Sequence, residues 1–269
     1  SVLAGQAIDV VMHFAASTLV GESVVNPGKY YRNNVLGTLC LLEAMQHAGV
    51  RKLVFSSTTA VYGEPESMPI HEGLPRVPVN PYGQSKYIVE EMLSDYSKAY
   101  GFGCVALRYF NAAGAASDGS IGEDHEPESH LIPLVLQVAL GQRNDITLFG
   151  SDYPTPDGTC VRDYVHVDDL AQAHALALGQ LELGTSLYLN LGSETGTSVR
   201  EVIEACRRVT GHPIPVLEGE RRAGDAPILV ADSSLARKVL NWVPRFTEIE
   251  QIVQSAWKWH QSHPRGYTG

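Results

Sequence analysis

Tyr82 and Lys86 stand four residues apart in Pro81-Tyr82-Gly83-Gln84-Ser85-Lys86, a spacing that puts both side chains on one face of a helix. A phenol with an ordinary pKa near 10 is a poor base at neutral pH. A lysine cation about 6 Å away changes this: at an effective dielectric near 20 the attraction is ~3 kcal/mol, or roughly two pKa units toward the phenolate. A phenolate so favoured accepts the proton of a carbinol hydroxyl. The pattern alone also arises by chance on exposed helices. A second feature accompanies it, because Phe55-Ser56-Ser57-Thr58-Thr59-Ala60-Val61-Tyr62-Gly63 runs from an apolar strand into hydroxyl residues. The carboxyl end of a strand is where open α/β sheets place their ligands. Hydroxyls at strand ends also serve simply to satisfy backbone groups.

The elements that must position these residues alternate strand and helix, as in a parallel sheet covered on both faces. Ile8 to Phe14 is a nearly continuous apolar run that ends in the small residues Ala15, Ala16 and Ser17. Asn34 to His47 has helical spacing in Val35, Leu39, Leu42 and Met45, closed by Gly49. Lys52 to Ser56 reads as a strand, Tyr82 to Tyr100 as a long helix with Pro81 at its start, and Cys104 to Tyr109 as the next strand. Beyond Asn111 a stretch rich in Gly, Asp and Glu (Gly114 to Ser129) precedes a helix at Leu131 to Leu140. Later elements are a strand at Tyr164 to Val167, a helix opened by Asp168 or Asp169, a strand at Ser186 to Leu191, a helix with the capping box Ser198/Glu201, and a last helix carrying Trp257 and Trp259.

The expected fold class is α/β: a Rossmann-like, doubly wound parallel sheet with a smaller carboxyl-terminal α/β substrate domain. Residues 1–111 are assigned to the first domain and 112–269 mainly to the second, with about 159–195 returning to the first sheet. A dinucleotide fold normally opens with a glycine-rich strand-turn-helix. No GxxGxxG occurs, and the first strand reads as a middle strand. Two earlier βα units, about 60 residues at roughly 30 per unit, are therefore expected to be missing from the amino end, leaving the sheet incomplete and the grip on NAD weakened.

Composition removes several alternatives. Lys+Arg 20 against Asp+Glu 30 gives a net charge of −10, which disfavours nucleic acid and anionic membrane surfaces as partners. Cys40, Cys104, Cys160 and Cys206 show no CxxC pairing, so neither a disulfide framework nor a zinc site is expected and a reducing cytoplasm fits. No apolar run reaches the roughly 18 residues of a membrane span.

The segments HFAAST (His13–Thr18), NNVLGT (Asn33–Thr38), SSTTAVYG (Ser56–Gly63), PYGQSK (Pro81–Lys86), RYFNAAG (Arg108–Gly114), GTCVRDYVHVDDLA (Gly158–Ala171) and RRAGD (Arg221–Asp225) follow in order. Together they resemble the extended short-chain dehydrogenase/reductase family, and within it the enzymes that invert C4 of UDP-sugars. The resemblance implies an NAD-dependent isomerase that interconverts UDP-glucose and UDP-galactose through a 4-keto intermediate. It implies Tyr82 as catalytic base, Lys86 as its electrostatic partner at the nicotinamide ribose, and Thr58 as the hydroxyl that bonds the 4-hydroxyl of the sugar. Phe14, Ala15, Ala16, Ser17, Thr18, Asn34 and Phe110 match NAD-contacting positions. Asn111, His130, Leu131, Thr147, Leu148, Phe149, Arg162, Arg222 and Asp225 match positions that hold the UDP-sugar.

Three departures stand out. His130 replaces a common asparagine, Thr18 a lysine of some members, and the glycine loop is absent. In the resembling family the bulk of a gate residue, matched here near Leu229, tracks acceptance of N-acetylated sugars, and leucine lies between serine and tyrosine.

The rival readings are a sugar-nucleotide 4,6-dehydratase or decarboxylase, and a non-catalytic NAD-sensing protein on the same fold. By resemblance the dehydratases carry Asp-Glu where this chain has Thr59-Ala60, and a sensor needs no Tyr82, Lys86 and Thr58 together. No metal is expected, because the ten histidines form neither HxxxH nor a His/carboxylate cluster at helical spacing. Trp257 and Trp259 read as packing residues. The helical faces Val35–Met45 and Ile88–Tyr96 could be core, and in the resembling family two such helices pair in a homodimer.

Overall fold

The computed structural model describes residues 2–222 and 224–268. In chain order the strands are β1 (Val11–His13), β2 (Lys52–Thr58), β3 (Gly103–Tyr109), β4 (Asn111–Ala113), β5 (Ile146–Phe149), β6 (Val161–His166), β7 (Ser186–Leu191), β8 (Gly196–Ser198), β9 (Val216–Gly219) and β10 (Ile228–Leu229). The helices are α1 (Val2–Gly5), α2 (Val20–Val25), α3 (Pro27–Tyr30), α4 (Gly37–Ala48), α5 (Pro81–Tyr100), α6 (Leu131–Ala139), α7 (Val167–Ala177), α8 (Val199–Thr210), α9 (Ser234–Leu240) and α10 (Ile249–Ser262). The chain divides into two compact units. The first holds 1–109, 172–191 and 233–242, and the second 110–171, 192–232 and 243–269. Of the segment 159–195, only 172–191 lies in the first unit.

The first unit is built on a parallel sheet in the order β1-β2-β3-β7, a Rossmann-like α/β arrangement. Strand β2 is buried along nearly its whole length, as an interior parallel strand must be. It extends two residues further than its apolar run, because Ser57 and Thr58 keep pairing with Arg108 and Tyr109. Strand β1 is shorter than its apolar run, since only Val11 to His13 find partners, on β2 alone. The helix expected from Asn34 begins instead as a π-helical turn over Tyr31–Leu36 that continues into α4, and α4 ends where Gly49 turns left-handed (φ 75°). Leu42, Met45, Val89 and Leu93 are fully buried against Leu53, Phe55 and Cys104. Those faces of α4 and α5 are thus core of their own chain.

Helix α5 starts with three local devices. The side chain of Asn80 accepts from the Gly83 amide at 2.9 Å, Pro81 takes the first helical position, and Gly83 approaches the 59–62 turn so closely that a Cβ there would stand 2.4 Å from the Ala60 carbonyl. Only glycine permits that approach, and it brings Tyr82 to the end of β2.

In the second unit β6 is flanked by parallel β4 and β10 and by antiparallel β8, while β5 and β9 form a separate parallel pair. Its core gathers Ile132, Val135 and Leu136 of α6, Val202, Ile203 and Cys206 of α8, and Ile252, Val253 and Trp257 of α10 around Ile146 and Leu148. Helix α8 opens with the expected capping box, Ser198 and Glu201 reaching each other's backbone amides. Trp259 is fully buried, in keeping with its reading as a packing residue. The four cysteines are free. Among the described residues no helix is long and apolar enough to cross a membrane.

Candidate active site

The carboxyl ends of β1, β2 and β3 in the first unit carry the proton-transfer candidates. Thr58 closes β2 in extended backbone, and its Oγ1 accepts from the Ala60 amide at 3.2 Å. Its own proton is left to donate, and it hydrogen-bonds the phenol of Tyr82. Lys86, one turn further along α5 and nearly fully buried, donates from Nζ to the carbonyl of Ser56 at 2.8 Å and lies 4.8 Å from the centroid of Phe55. Tyr82 and Lys86 therefore converge on the same strand end, as their spacing requires.

The electrostatics correct the sequence expectation. Burial pushes the Tyr82 phenol up to about 12, the Thr58 hydrogen bond pulls it partly back, and the neighbouring Tyr109 adds to the rise. Loss of water around the phenol, which penalises its charged form, outweighs the attraction expected from the lysine spacing. Burial brings Lys86 down to about 8, opposed by the carboxylate of Glu90.

This shift has a measurable consequence. A lysine at about 8 in the fold and 10.5 in the open chain binds fewer protons folded than unfolded between those values, so stability rises with pH across that window. Below pH 8 the full cost of a buried charge is present, on the order of 3 kcal/mol. The gap in melting temperature between a Lys86→Met variant and the parent should shift in the parent's favour from pH 8 to pH 10. A gap independent of pH would show that Lys86 keeps an ordinary pKa.

A hydrogen-bonded chain ties the β1 loop to this helix. The Asn34 side chain, turned inward by the π-helical turn, accepts from the Ser17 amide (2.8 Å) and donates to the Ser17 carbonyl (3.0 Å) and to Ser85 Oγ (2.9 Å). Ser85 in turn donates to the Tyr82 carbonyl at 2.7 Å. Around this loop Phe14 is exposed, with its ring 4.8 Å from that of His174, and Ala15, Ala16 and Thr18 follow. The residues fit a dinucleotide on one observation above others. Among the described residues the Ser56 carbonyl is the one hydrogen-bond partner of the buried Lys86 ammonium, so a group with three donors uses one and can bond a ribose diol with the rest.

Beneath the site lies a buried network that sequence reasoning missed. Glu90, one turn after Lys86 and fully buried, accepts from Arg108 Nε (2.8 Å) and Nη2 (2.6 Å), from Ser57 Oγ (2.6 Å) and from Arg76 Nη1 (3.1 Å). Arg108 also donates to the Tyr62 hydroxyl at 2.7 Å, which donates to Asn190 at 2.8 Å. A signal was present, since a glutamate four residues after the lysine shares its helix face.

The second unit holds the other candidates. Arg162 on β6 donates to the carbonyls of Val161 (3.0 Å) and Ala226 (2.8 Å) and stands 3.6 Å from Asp225, which also lies 3.9 Å from Arg222. Asp225 thus holds two guanidinium groups near each other. Arg222 stacks 4.3 Å over the Phe149 ring, and Phe149 has room because it faces Gly219 on β9.

Alternation along β5 turns Thr147 and Phe149 away from the core and Leu148 into it, so the Leu148 side chain belongs to packing. Asn111 donates to the Asp163 carbonyl at 2.8 Å, and Phe110 precedes it. His130 pairs through Nδ1 with Glu123, and Leu131 begins α6. Asp163, another residue that sequence reasoning missed, accepts from the amides of Ser193, Glu194 and Ala231 and so holds β10 beside β6, with Leu229 opposite Arg162. His166 is bonded to Ser255 (2.9 Å) and to the Asp168 amide (3.0 Å).

Comparison with known proteins identifies the family of the chain. The model of the NAD dependent epimerase/dehydratase family matches residues 1–192. The UDP-glucose 4-epimerase of Halalkalibacterium halodurans is 56% identical over 262 residues, spanning 97% of this chain and 78% of that protein. A crystal structure of a UDP-glucose 4-epimerase is 51% identical with a TM-score of 0.96, covering 99% of this chain and 81% of its own. The Bifidobacterium longum UDP-glucose 4-epimerase, solved with NAD+ and UDP, is 42% identical with a TM-score of 0.94 over 99% of this chain and 80% of its own. The chain belongs to the NAD dependent epimerase/dehydratase family, among its UDP-glucose 4-epimerases.

Proposed function

We propose that Tyr82, with Thr58 and Lys86, moves the proton in an NAD-dependent inversion at C4 of UDP-hexoses that interconverts UDP-glucose and UDP-galactose. The observation that carries this reading is the meeting of a phenol, a hydroxyl and a buried ammonium at the end of β2. The loop from Phe14 to Thr18, Asn34, Lys86 and Phe110 would hold NAD, which when bound would supply a reversible hydride acceptor for C4.

The 4-hydroxyl proton passes to Tyr82 Oη as the carbinol becomes a ketone and goes back as the ketone is reduced, so no proton is gained or lost overall. Burial raises the pKa of this phenol, so the phenolate that accepts the proton would form only beside positive charge, which the Lys86 ammonium and a bound nicotinamide would supply. Thr58 donates to the same phenol oxygen and steadies it whenever the proton is away. Arg162 and Arg222 take the diphosphate, guanidinium forks suiting its oxygens, and the Phe149–Arg222 stack offers a flat surface to the uracil. Asn111, His130, Leu131, Thr147, Leu148 and Asp225 complete the hold on the nucleotide, Leu148 only through its backbone. Firm grip on UDP with loose grip on the hexose lets the ketone turn its other face before reduction.

The test is a product assay with UDP-galactose and NAD, for which UDP-glucose is the expected product. A 4-keto-6-deoxy sugar would mean dehydration instead, a reaction for which Thr59 and Ala60 supply neither acid nor base. The same reading includes a cytoplasmic homodimer, for which Leu36 and Tyr100, apolar and exposed at the ends of the helices concerned, offer contact surface.

A further inference from the structure

We infer that Glu123, His125, Glu128 and His130 form a binding site for a zinc-class divalent cation immediately before α6. Each residue offers one ligand atom, and the four atoms all lie within 4.8 Å of one another. Tetrahedral zinc, with Zn–N and Zn–O of about 2.0–2.2 Å, needs its ligand atoms about 3.3–3.6 Å apart. His125 Nδ1 stands 3.0 Å from Glu123 Oε1 and 3.8 Å from Glu128 Oε1, and His130 Nδ1 stands 3.9 Å from Glu128 Oε1. These separations bracket the required one. Of the three other pairs, His130 Nδ1 and Glu123 Oε1 are in direct contact and must move apart to admit an ion, and the remaining two lie within 4.8 Å.

The surroundings are those of a ligand set. Both histidines turn the same ring nitrogen, Nδ1, toward the two carboxylates, and their rings stand edge to face at 5.3 Å. The Glu128 side chain is only 7% exposed, and Oε1 accepts from the amides of Ser129 (2.7 Å) and His130 (2.8 Å), which orient it. Among the described residues neither Glu123 nor Glu128 has an ion pair with Lys or Arg; their ion-pair partners are the two imidazoles. The backbone of this segment is already anchored, since Trp259 Nε1 donates to the Glu123 carbonyl (3.3 Å) and Asp124 accepts from the Tyr267 amide (2.9 Å). Outer-shell support of this kind fixes ligand orientation before the ion arrives.

Donor chemistry selects the ion. Magnesium and calcium take oxygen ligands, whereas two imidazoles with two carboxylates suit zinc and its first-row neighbours. Four protein ligands leave no open position, so the ion is structural. It ties both ends of the 123–130 segment and fixes His130, whose Nε2 stays free of the metal. The site shares His130 with the proposed nucleotide hold and no residue with the proton-transfer group, and metal titration reads neither catalysis nor nucleotide binding, so the two readings fail separately.

The experiment uses the untagged chain, stripped with chelator and titrated with Zn²⁺ by calorimetry, with Co²⁺ absorption reporting geometry. One equivalent per chain with a tetrahedral Co²⁺ spectrum is expected. His125→Ala, at an exposed position, and Glu123→Gln should each weaken binding by more than ~100-fold, beyond the ~10–100-fold cost of an outer-shell change, while His212→Ala leaves it unchanged. Circular dichroism on each variant confirms that the fold persists. Failure of the parent chain to bind one equivalent, or affinity unchanged in folded His125→Ala and Glu123→Gln proteins, would overturn the assignment.

Discussion

Replacing Tyr82 by Phe is expected to lower turnover by ~10²–10⁴-fold, the usual reach of a positioned acid–base group, with the KM for UDP-galactose little changed. The phenol oxygen is the only atom removed, and its partner in the fold is the Thr58 hydroxyl. Stability should therefore move by no more than about 1 kcal/mol, the net value of an ordinary hydrogen bond. Loss of rate with the melting curve intact separates a chemical role from a structural one. Thr58→Ser, which keeps the hydroxyl, should preserve most activity, and Thr58→Ala should lose part of it. A Tyr82→Phe protein that turns over normally would remove Tyr82 from the reaction and with it the proposed proton path.

The second large effect is structural. Glu90→Ala strips the carboxylate from a network that holds the Arg108 guanidinium in a fully buried position. Removing one partner of a buried ion pair costs about 3–5 kcal/mol, because the other charge is stranded. At roughly 2–4 °C per kcal/mol for a chain of this size the melting temperature should fall by about 6–20 °C. Glu90→Leu combined with Arg108→Met should recover most of that loss, since paired apolar replacement strands no charge. Activity should fall alongside stability in Glu90→Ala, as Glu90 and Ser57 join α5 to β2 between Lys86 and Thr58. Calorimetry decides the matter: a melting point within about 2 °C of the parent would mean that the pair contributes nothing net.

Much of this was legible in the amino-acid order. The YxxxK spacing, the hydroxyl run after Phe55 and the Asn80-Pro81 start of α5 are local features, and local rules of helix phase and capping act over a few residues. The alternation of apolar strands and helices likewise announced a parallel α/β sheet, because a strand buried on both faces must be apolar throughout. The capping box at Ser198 and Glu201 and the strand Ser186–Leu191 follow from the same short-range patterns.

What the order of residues could not decide depends on partners distant along the chain. The phenol of Tyr82 was expected to shift downward on a pairwise estimate of charge attraction, and it shifts upward because the surrounding fold removes water from the phenol itself. The Glu90–Arg108 pair, the Asp163 cradle and the bonding of Asn34 to Ser17 and Ser85 join residues 17 to 68 positions apart. No periodicity marks such contacts. The Glu123–His130 cluster escaped a search for helical ligand spacing because its residues lie on irregular backbone, where only the folded path of the chain brings four donors to one point. Residue type and spacing therefore determined which chemistry was present, while tertiary burial decided its pKa values, its supports and the gathering of its more distant groups.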